Sequence, residues 1–584
     1  MQCLPAWRHE RQAGASSVCF GSTASWMYLM IVRSLATNLS VSSQISTTDL
    51  QTLQRLGFRS IVCHRPDGEA PSQPSFAEIA QAAKLAGIQA IYQPVVPGQR
   101  LTEEAAVFAA LCADLPKPIL AYCRTGTRSA TLWTMSRPGY VASAKAQKRP
   151  PRAEADSTDV MSSDEDVQAA LVEVVEAEHT VVIVGGGAAG IAVASSLRAR
   201  DPKIDVVIID PADTHYYQPG WTLVGGGTFD AADTARTMAS CIPHGVHWIK
   251  AAVVAFEPDT HAVVLTGGRR VRYQRLVVCP GIKINWLGVE GLLETLGHNG
   301  VTSNYRFDLA PYTAELVKQM RGGRALFTQP PMPIKCAGAP QKAMYLSCDT
   351  WRRNRVLQNM QVQFFNAGAA LFGVPDYVPA LMEYVNSYGI DLRFGHTLKS
   401  IDGPRGRATF ERVLADGSAD LIESEFDMIH VVPPQTAPDF VRSSPLSDAA
   451  GWIDVDRDTL RHTKYDDIYA LGDAINTSNA KTAAAARKQA PVVAHNVLAS
   501  LGCISGLALY DGYGSCPLTV ERGKVVLAEF VYGGKLAPSF PAWLINGTRP
   551  SRLAWFLKER ILPPLYWNGM LKGREWMARP VRVD

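Results

Sequence analysis

Val181-Val182-Ile183-Val184-Gly185-Gly186-Gly187-Ala188-Ala189-Gly190 decides the architecture of the 584-residue chain. Four apolar residues suit a buried strand, G-x-G-x-x-G follows, and Ile191-Ala192-Val193-Ala194 opens a helix. A second apolar run, Val206-Val207-Ile208-Ile209, ends in Asp210 at the spacing of about 20 residues that a βαβ nucleotide unit requires. Gly185, Gly187 and Gly190 permit the tight turn and close backbone approach. The amides of Ala188 and Ala189 at the helix start would hold a pyrophosphate, and Asp210 a ribose hydroxyl. A lone fingerprint is weak, but strand, loop, helix and acid in register predict a dinucleotide site.

Two later segments select the dinucleotide. Leu276-Val277-Val278-Cys279-Pro280-Gly281 resembles the strand-turn that returns to the flavin in two-dinucleotide-fold flavoproteins, and Ile468-Tyr469-Ala470-Leu471-Gly472-Asp473 their late strand ending in Gly-Asp. Lys481-Thr482-Ala483-Ala484 then starts an Ala-rich helix whose positive end would face the electron-rich edge of the flavin. These motifs make FAD the expected cofactor, with Gly281, Gly472, Asp473, Lys481, Thr482, Ala483, Ala484 and Val253 joining the first loop in binding it. A nicotinamide enzyme of this class carries a second glycine fingerprint. Here the matching strand, Ala325-Leu326-Phe327-Thr328, leads into Gln329-Pro330-Pro331-Met332-Pro333-Ile334-Lys335-Cys336, which has three prolines, no glycine and no row of amides for a pyrophosphate.

Residues 179–578 resemble the mitochondrial-like, type II sulfide:quinone oxidoreductases. The segments His215-Tyr216-Tyr217-Gln218-Pro219, Val301-Thr302-Ser303-Asn304-Tyr305, Lys335-Cys336-Ala337-Gly338-Ala339-Pro340 and Ser515-Cys516-Pro517-Leu518 carry the likeness. The resemblance places Gln218 at the flavin and implies two redox cysteines, Cys336 and Cys516. Sulfide attacks a sulfur bridging the pair, leaving a persulfide on one cysteine and a thiolate on the other, which engages the flavin and passes it two electrons. Lys335 and Lys342 could supply positive charge to a thiolate, or be plain solvated surface. Cys241, Cys279, Cys348 and Cys503 are expected to be buried small hydrophobes.

No haem attachment motif, iron–sulfur spacing or metal cluster is legible, so quinone is the expected electron acceptor. No apolar run reaches the ~20 residues of a spanning helix. Residues 536–584 hold Trp543, Trp555, Trp567 and Trp576 among Arg549, Arg552, Lys558, Arg560, Lys572 and Arg574. This mixture, on short helices broken by Pro563 and Pro564, reads as an in-plane membrane anchor; core packing of the tryptophans is the rival reading. The formal net charge of +4 decides little.

The first 150 residues form a separate module. Ile119-Leu120-Ala121-Tyr122 should be a strand feeding Cys123-Arg124-Thr125-Gly126-Thr127-Arg128-Ser129, with a helix beginning near Ala130. A cysteine at a strand end, before amides and a helix start, favours thiolate and anions. Tyrosine phosphatases use Cys-x5-Arg and a separate Asp; here the spacing is Cys-x4-Arg, and Tyr92 to Arg100 contains no Asp. Residues 30–145 resemble the phosphatase-fold family described as sulfur transferases or fused to persulfide dioxygenases, on Leu39-Ser40-Val41-Ser42 and Arg65-Pro66-Asp67-Gly68-Glu69. That resemblance implies sulfur transfer by Cys123 with Arg128. Cys63-His64 departs from the family's polar pair, and His64 is either an anion-orienting group or a strand-end surface residue.

The expectation is thus an α/β chain: a phosphatase-like α/β domain at 30–145, a mobile linker at 146–178 whose last part could be helical, a tandem Rossmann-like flavoprotein at 179–535, and the amphipathic membrane-associating segment. Residues 1–29 read as an extension ahead of the natural start at Met30. The eleven cysteines, without an export signal, suggest reduced thiols. The expected setting is peripheral, on the cytoplasmic face of a bacterial inner membrane. Expected partners are sulfide, membrane quinone, and sulfite or a low-molecular-weight thiol as sulfane-sulfur acceptor; no feature points to nucleic acid, and a homo-oligomer is left open. The alternatives are an NADH:quinone reductase, a sulfide or redox sensor, and a phosphatase-like N-terminal domain.

Overall fold

The computed structural model describes residues 33–135, save 37, 43, 48, 70–72, 96–100 and 125–126, and residues 175–583, save 267 and 415. The extension at 1–29 and most of the expected linker lie outside the described residues. The chain divides into two compact units, one ending at Ser136 and the other beginning at Arg137.

In the first unit, the strands Leu39–Ser42, Ile119–Tyr122, Ser60–Cys63 and Gln89–Tyr92 lie parallel in that order, and Arg33–Ala36 adds antiparallel to the edge. Ile119, Leu120, Ala121 and Tyr122 are all buried, as a central strand covered on both faces should be. Helix Phe76–Leu85 starts with a capping box, Ser75 and Glu78 satisfying one another's backbone amides. Cys123 leaves the carboxyl end of the middle strand, where open parallel sheets bind ligands.

In the second unit, the first lobe is built on the strand Val175–Val184. Its first residues are therefore strand, and the helix expected at the end of the linker does not form there: they pair with Arg270–Tyr273, which gives their backbone a ladder. The partner strand Arg270–Val278 is parallel to it throughout. On its other side Arg270–Val278 takes Ala262–Leu265 antiparallel at its start and Ile468–Ala470 parallel at its end. The latter pairing carries Gly472 and Asp473 to the mouth of the glycine loop. The second lobe has five parallel strands in the order Val301–Thr302, Met428–His430, Gly323–Gln329, Met360–Asn366 and Asp391–Phe394. Gly323–Gln329 leads through the proline loop into helix Ala339–Arg353, and that helix packs on the hairpin Gly514–Glu521/Lys524–Phe530.

The C-terminal segment departs from the expectation. Instead of short broken helices, Arg552–Lys572 is one helical run in which the π-helical stretches Leu557–Ile561 and Leu565–Gly569 flank the prolines. Wider turns relieve the clash of a proline ring with the preceding carbonyls. Trp567 is 5 % and Trp555 9 % exposed, whereas Trp543 is 85 % and Trp576 54 %, so the tryptophans divide equally between core and surface. Tyr566, Trp567, Met570 and Leu571 belong to the core of the first lobe. Among the described residues no helix is long and apolar enough to cross a membrane.

Burying four such side chains contributes roughly 1.5–3 kcal/mol each, in total comparable to the about 5–15 kcal/mol that holds a whole domain. Deletion of residues 552–584 is therefore expected to yield insoluble or unfolded protein. A dispensable anchor predicts the reverse, a soluble chain with an unchanged melting temperature.

Candidate active site

The sulfur atoms of Cys336 and Cys516 lie 4.0 Å apart, although 180 residues separate them in the chain. Cys336 sits in the loop before helix Ala339–Arg353, and Cys516 in the strand Gly514–Glu521 that packs on that helix. The approach depends on Gly338, since a Cβ there would stand 2.5 Å from both Cys516 Sγ and a Leu518 methyl. Cys336 adopts the left-handed region at φ 49°, which costs an L-residue about 1–2 kcal/mol. Hydrogen bonds hold it there: its amide donates to Lys481 O at 2.8 Å, and its carbonyl accepts from Ala339 N–H and the Tyr305 hydroxyl. One sulfur bonded to both cysteines at about 2.05 Å each, with the usual bent angle at sulfur, needs the pair to draw together slightly; a direct disulfide needs a much closer approach.

The charge around the pair is asymmetric. A hydrogen bond from the Cys516 thiol, with the Lys342 ammonium 3.2 Å away, holds Cys336 well below the usual thiol range against the opposing effect of burial. The same hydrogen bond and burial push Cys516 well above it. Lys342 acts on both sulfurs, and its contact at 3.2 Å with Cys336 favours the negative charge on that one. Lys342, which the sequence left between solvated surface and charge donor, is 3 % exposed. A further cation was missed: Lys558, read from sequence as a surface charge of the anchor, is 2 % exposed and donates to Pro219 O at 3.0 Å. Burial and the repulsion of Lys342 lower it to about 7, while the two cysteines act to raise it. Only its period in the C-terminal helix, four residues after Ala554 and three after Trp555 on the buried face, could have signalled this.

Several of the expected cofactor residues adjoin the same loop. Cys336 N–H meets Lys481 O, and helix Ala483–Ser500 begins directly after Thr482, whose hydroxyl caps Ala485 N–H. Lys335 donates to Gln218 Oε1 at 2.5 Å and lies over the rings of Trp221 and Tyr305. Burial raises the Asp473 carboxyl, offset by Lys481 and Lys335, while burial lowers Lys481 to about 8. At the glycine loop, a Cβ on Gly185 would meet Cys279 O at 2.5 Å, whereas one on Gly187 would meet nothing within 4 Å. The loop is packed on one side and open on the other, over uncapped helix amides. Asp210 accepts from Gly186 N–H at 2.6 Å, bracing the loop. His215 braces it too: Nδ1–H donates to Gly186 O at 3.1 Å, so Nε2 accepts the Tyr566 hydroxyl at 2.6 Å. Val253 begins the strand Val253–Glu257 and is buried in the core of this lobe. Buried polar atoms of Thr222, Asn304 and Gln435 have no partner among the described residues, although Asn304 is only 4 % exposed. An open amide cradle and orphaned donors beside the sulfur pair fit a flavin dinucleotide. Of the cysteines expected to be buried, Cys241, Cys279 and Cys348 are, but Cys503 is exposed, because it follows the end of helix Ala483–Ser500 in a surface turn.

In the first unit Cys123 is 1 % exposed at its strand end. Arg128 donates to His64 O at 3.0 Å and to Glu69 at 2.6 Å, and Arg65 holds the other Glu69 oxygen at 2.8 Å. His64 is fully buried, which corrects the surface reading; burial lowers it to about 4. Gln93 Nε2 donates to Glu104 O, so its Oε1 accepts from His64 Nε2–H, and His64 Nδ1 takes the hydroxyl hydrogen of Ser129 at 2.9 Å. Thr125 and Gly126 of the loop lie outside the described residues.

Residues 179–317 match the family model of pyridine nucleotide-disulphide oxidoreductases, and residues 31–140 that of the beta-lactamase hydrolase-like protein, phosphatase-like domain. The mitochondrial sulfide:quinone oxidoreductase of Dictyostelium discoideum is 41 % identical over 405 residues, which cover 68 % of this chain and 87 % of that one. The chain belongs to the sulfide:quinone oxidoreductase family. The mouse mitochondrial sulfide:quinone oxidoreductase is 35 % identical over 395 residues, again covering 68 % and 87 % of the two chains. The solved sulfide:quinone oxidoreductase of Aquifex aeolicus shares the fold, with a TM-score of 0.56 at 17 % identity over 68 % of this chain and 92 % of that one.

In the reduced holoenzyme, thiolate absorbance lost on Cys336→Ser is expected to persist below pH 7. Lys342→Met should move its titration up by about one to two pH units. The alkylation rate of Cys336 should also step near pH 7, where Lys558 loses its charge, and Lys558→Met should abolish that step. Superimposable profiles for all three proteins would refute the charge assignment.

Proposed function

We propose that this chain is a flavin-dependent sulfide:quinone oxidoreductase, and the asymmetric cysteine pair at 4.0 Å carries the reading. Hydrosulfide attacks the sulfur of Cys516 in the bridged pair. The bond from Cys516 to the bridge breaks, Cys516 keeps the incoming sulfur as a persulfide, and the electron pair leaves on the Cys336 side, where Lys342 stabilises it. Cys336 is tied to Lys481 at the start of the Ala-rich helix, so the released persulfide anion, which keeps the bridging sulfur on Cys336, lies beside the expected flavin. FAD, when bound, accepts two electrons and returns them to a quinone. Lys342 and Lys558 together would also attract the anionic substrate into a buried site. The proline loop offers nicotinamide no amide cradle, which disfavours the NADH reading.

The N-terminal unit is proposed to transfer sulfane sulfur on Cys123, with Arg128 holding the anion and sulfite or a small thiol as final acceptor. Ser129 spends its hydrogen on His64 and Arg128 is shared with Glu69, an arrangement suited to a singly charged persulfide. Peripheral association with a membrane, through the exposed part of the C-terminal segment, would give access to lipid quinone.

Anaerobic addition of sulfide should bleach the flavin of the purified holoenzyme, and a soluble quinone should restore it. Restoration failing after bleaching would favour a sensor; bleaching by NADH but not sulfide would favour the nicotinamide enzyme. Cys516→Ser should lower the rate of bleaching at least 100-fold. Cys123→Ser should leave bleaching intact and reduce sulfur delivery to at least one acceptor; unchanged yields with sulfite and with thiols would dismiss the transfer role.

A further inference from the structure

A groove of about 670 Å³ separates the last turn of helix Ala188–Arg200 from the segment after the C-terminal helix. Its walls include Arg200, Arg574, Arg579 and Arg582 together with Trp576 and Met577. Arg200 is neutralised by Glu575, at 2.9 Å between Arg200 Nη2 and Glu575 Oε2. Arg574, Arg579 and Arg582 make no ion pair among the described residues. Trp576 and Met577 are 54 % and 58 % exposed, and the Arg574 guanidinium lies 5.5 Å from the Trp576 ring.

The groove is rigidly built. A Cβ at Gly573 would stand 2.5 Å from Ser195 O, so the segment is pressed against the helix. Glu575 is clamped by Ser196 as well as Arg200, the Trp576 carbonyl accepts from Arg487, and Val581–Val583 pairs with Leu507–Leu509. Three guanidinium groups with no ion pair among the described residues therefore line one groove beside two half-exposed apolar side chains. Leaving like charges so disposed disfavours the free protein, and an anion in the groove would remove that cost.

We propose that this groove docks the protein on anionic phospholipid: the arginines take headgroup phosphates, and Trp576 and Met577 enter the boundary between headgroups and acyl chains. A soluble anion would use the guanidinium groups but leave the tryptophan and methionine in water. A lipid surface uses both, because it offers charge and apolar depth at one place. The inference rests on the peripheral association proposed above and adds to it the lipid class and the docking face.

The test is flotation of the holoenzyme with vesicles of phosphatidylcholine alone and of phosphatidylcholine mixed with phosphatidylglycerol. Wild type should bind the mixed vesicles far more tightly and be released by salt. The triple variant Arg574→Gln/Arg579→Gln/Arg582→Gln should lose about a hundredfold in that affinity, with its melting temperature and its bleaching by sulfide with a soluble quinone unchanged. Trp576→Ala should weaken binding to both vesicle types several-fold. Equal binding of wild type and triple variant to mixed vesicles would overturn the groove while leaving membrane association standing. Binding of wild type to neither vesicle would overturn both. Salt-sensitive binding to duplex DNA in place of vesicles would overturn the lipid assignment and make the groove a nucleic-acid site.

Discussion

A thiolate buried among protein atoms is tolerable only beside a buried cation, and the Cys336–Lys342 contact of 3.2 Å supplies one. Much of the second unit meets at that contact. Helix Ala339–Arg353 contributes the lysine from its first turn, the hairpin contributes Cys516, the flavin-side helix start holds the Cys336 amide through Lys481, and the C-terminal helix brings Lys558. Loss of Lys342 would leave an uncompensated charge in the interior, and the elements around the contact are packed tightly at Gly338. Lys558 completes the balance. A second full positive charge against Lys342 is costly, so burial and repulsion bring it to about 7, where it can gain or lose a proton as the sulfur pair changes charge.

The nucleotide half of this arrangement was legible because its signals are local. The strand, glycine loop, helix and Asp210 fall within thirty consecutive residues, and each has a fixed backbone role. The gap in the second fingerprint was equally local, since prolines exclude an amide cradle wherever they fold. The Cys336–Cys516 contact was not legible: nothing in either neighbourhood encodes a partner 180 residues away, and only the family resemblance paired them. Lys558 failed for a related reason. In a run of tryptophans and cations an exposed and a buried lysine have the same composition, and the π-helical turns at 557–561 and 565–569 shift which residues face inward. His64 was undecided for want of the network formed by Gln93 and Ser129, residues from two other elements.

The same C-terminal helix shows why anchor and core were rival readings of one segment. Its inner face is core: Tyr566 reaches His215, which in turn donates to the carbonyl of Gly186 in the nucleotide loop. Its outer face keeps Leu553, Phe556 and Ile561 exposed. Composition alone could not separate the two readings, because buried and exposed residues lie on different sides of the same helix.

That division constrains how membrane contact can act on the chemistry. A helix that merely lay on the protein could tilt or detach on docking without consequence for the cofactor loop. This one cannot, because Tyr566, Trp567 and Met570 are built into the core of the first lobe and Lys558 is sealed beside the sulfur pair. Any displacement of the helix axis must move the Tyr566–His215–Gly186 chain at one end and the Lys558 charge at the other. A docking device placed beyond the helix, in the rigid segment that follows Gly573, avoids that difficulty. The proposed face would seat the protein on a charged surface while the helix stays fixed, so the electrostatics that favour negative charge on Cys336 would not change on docking.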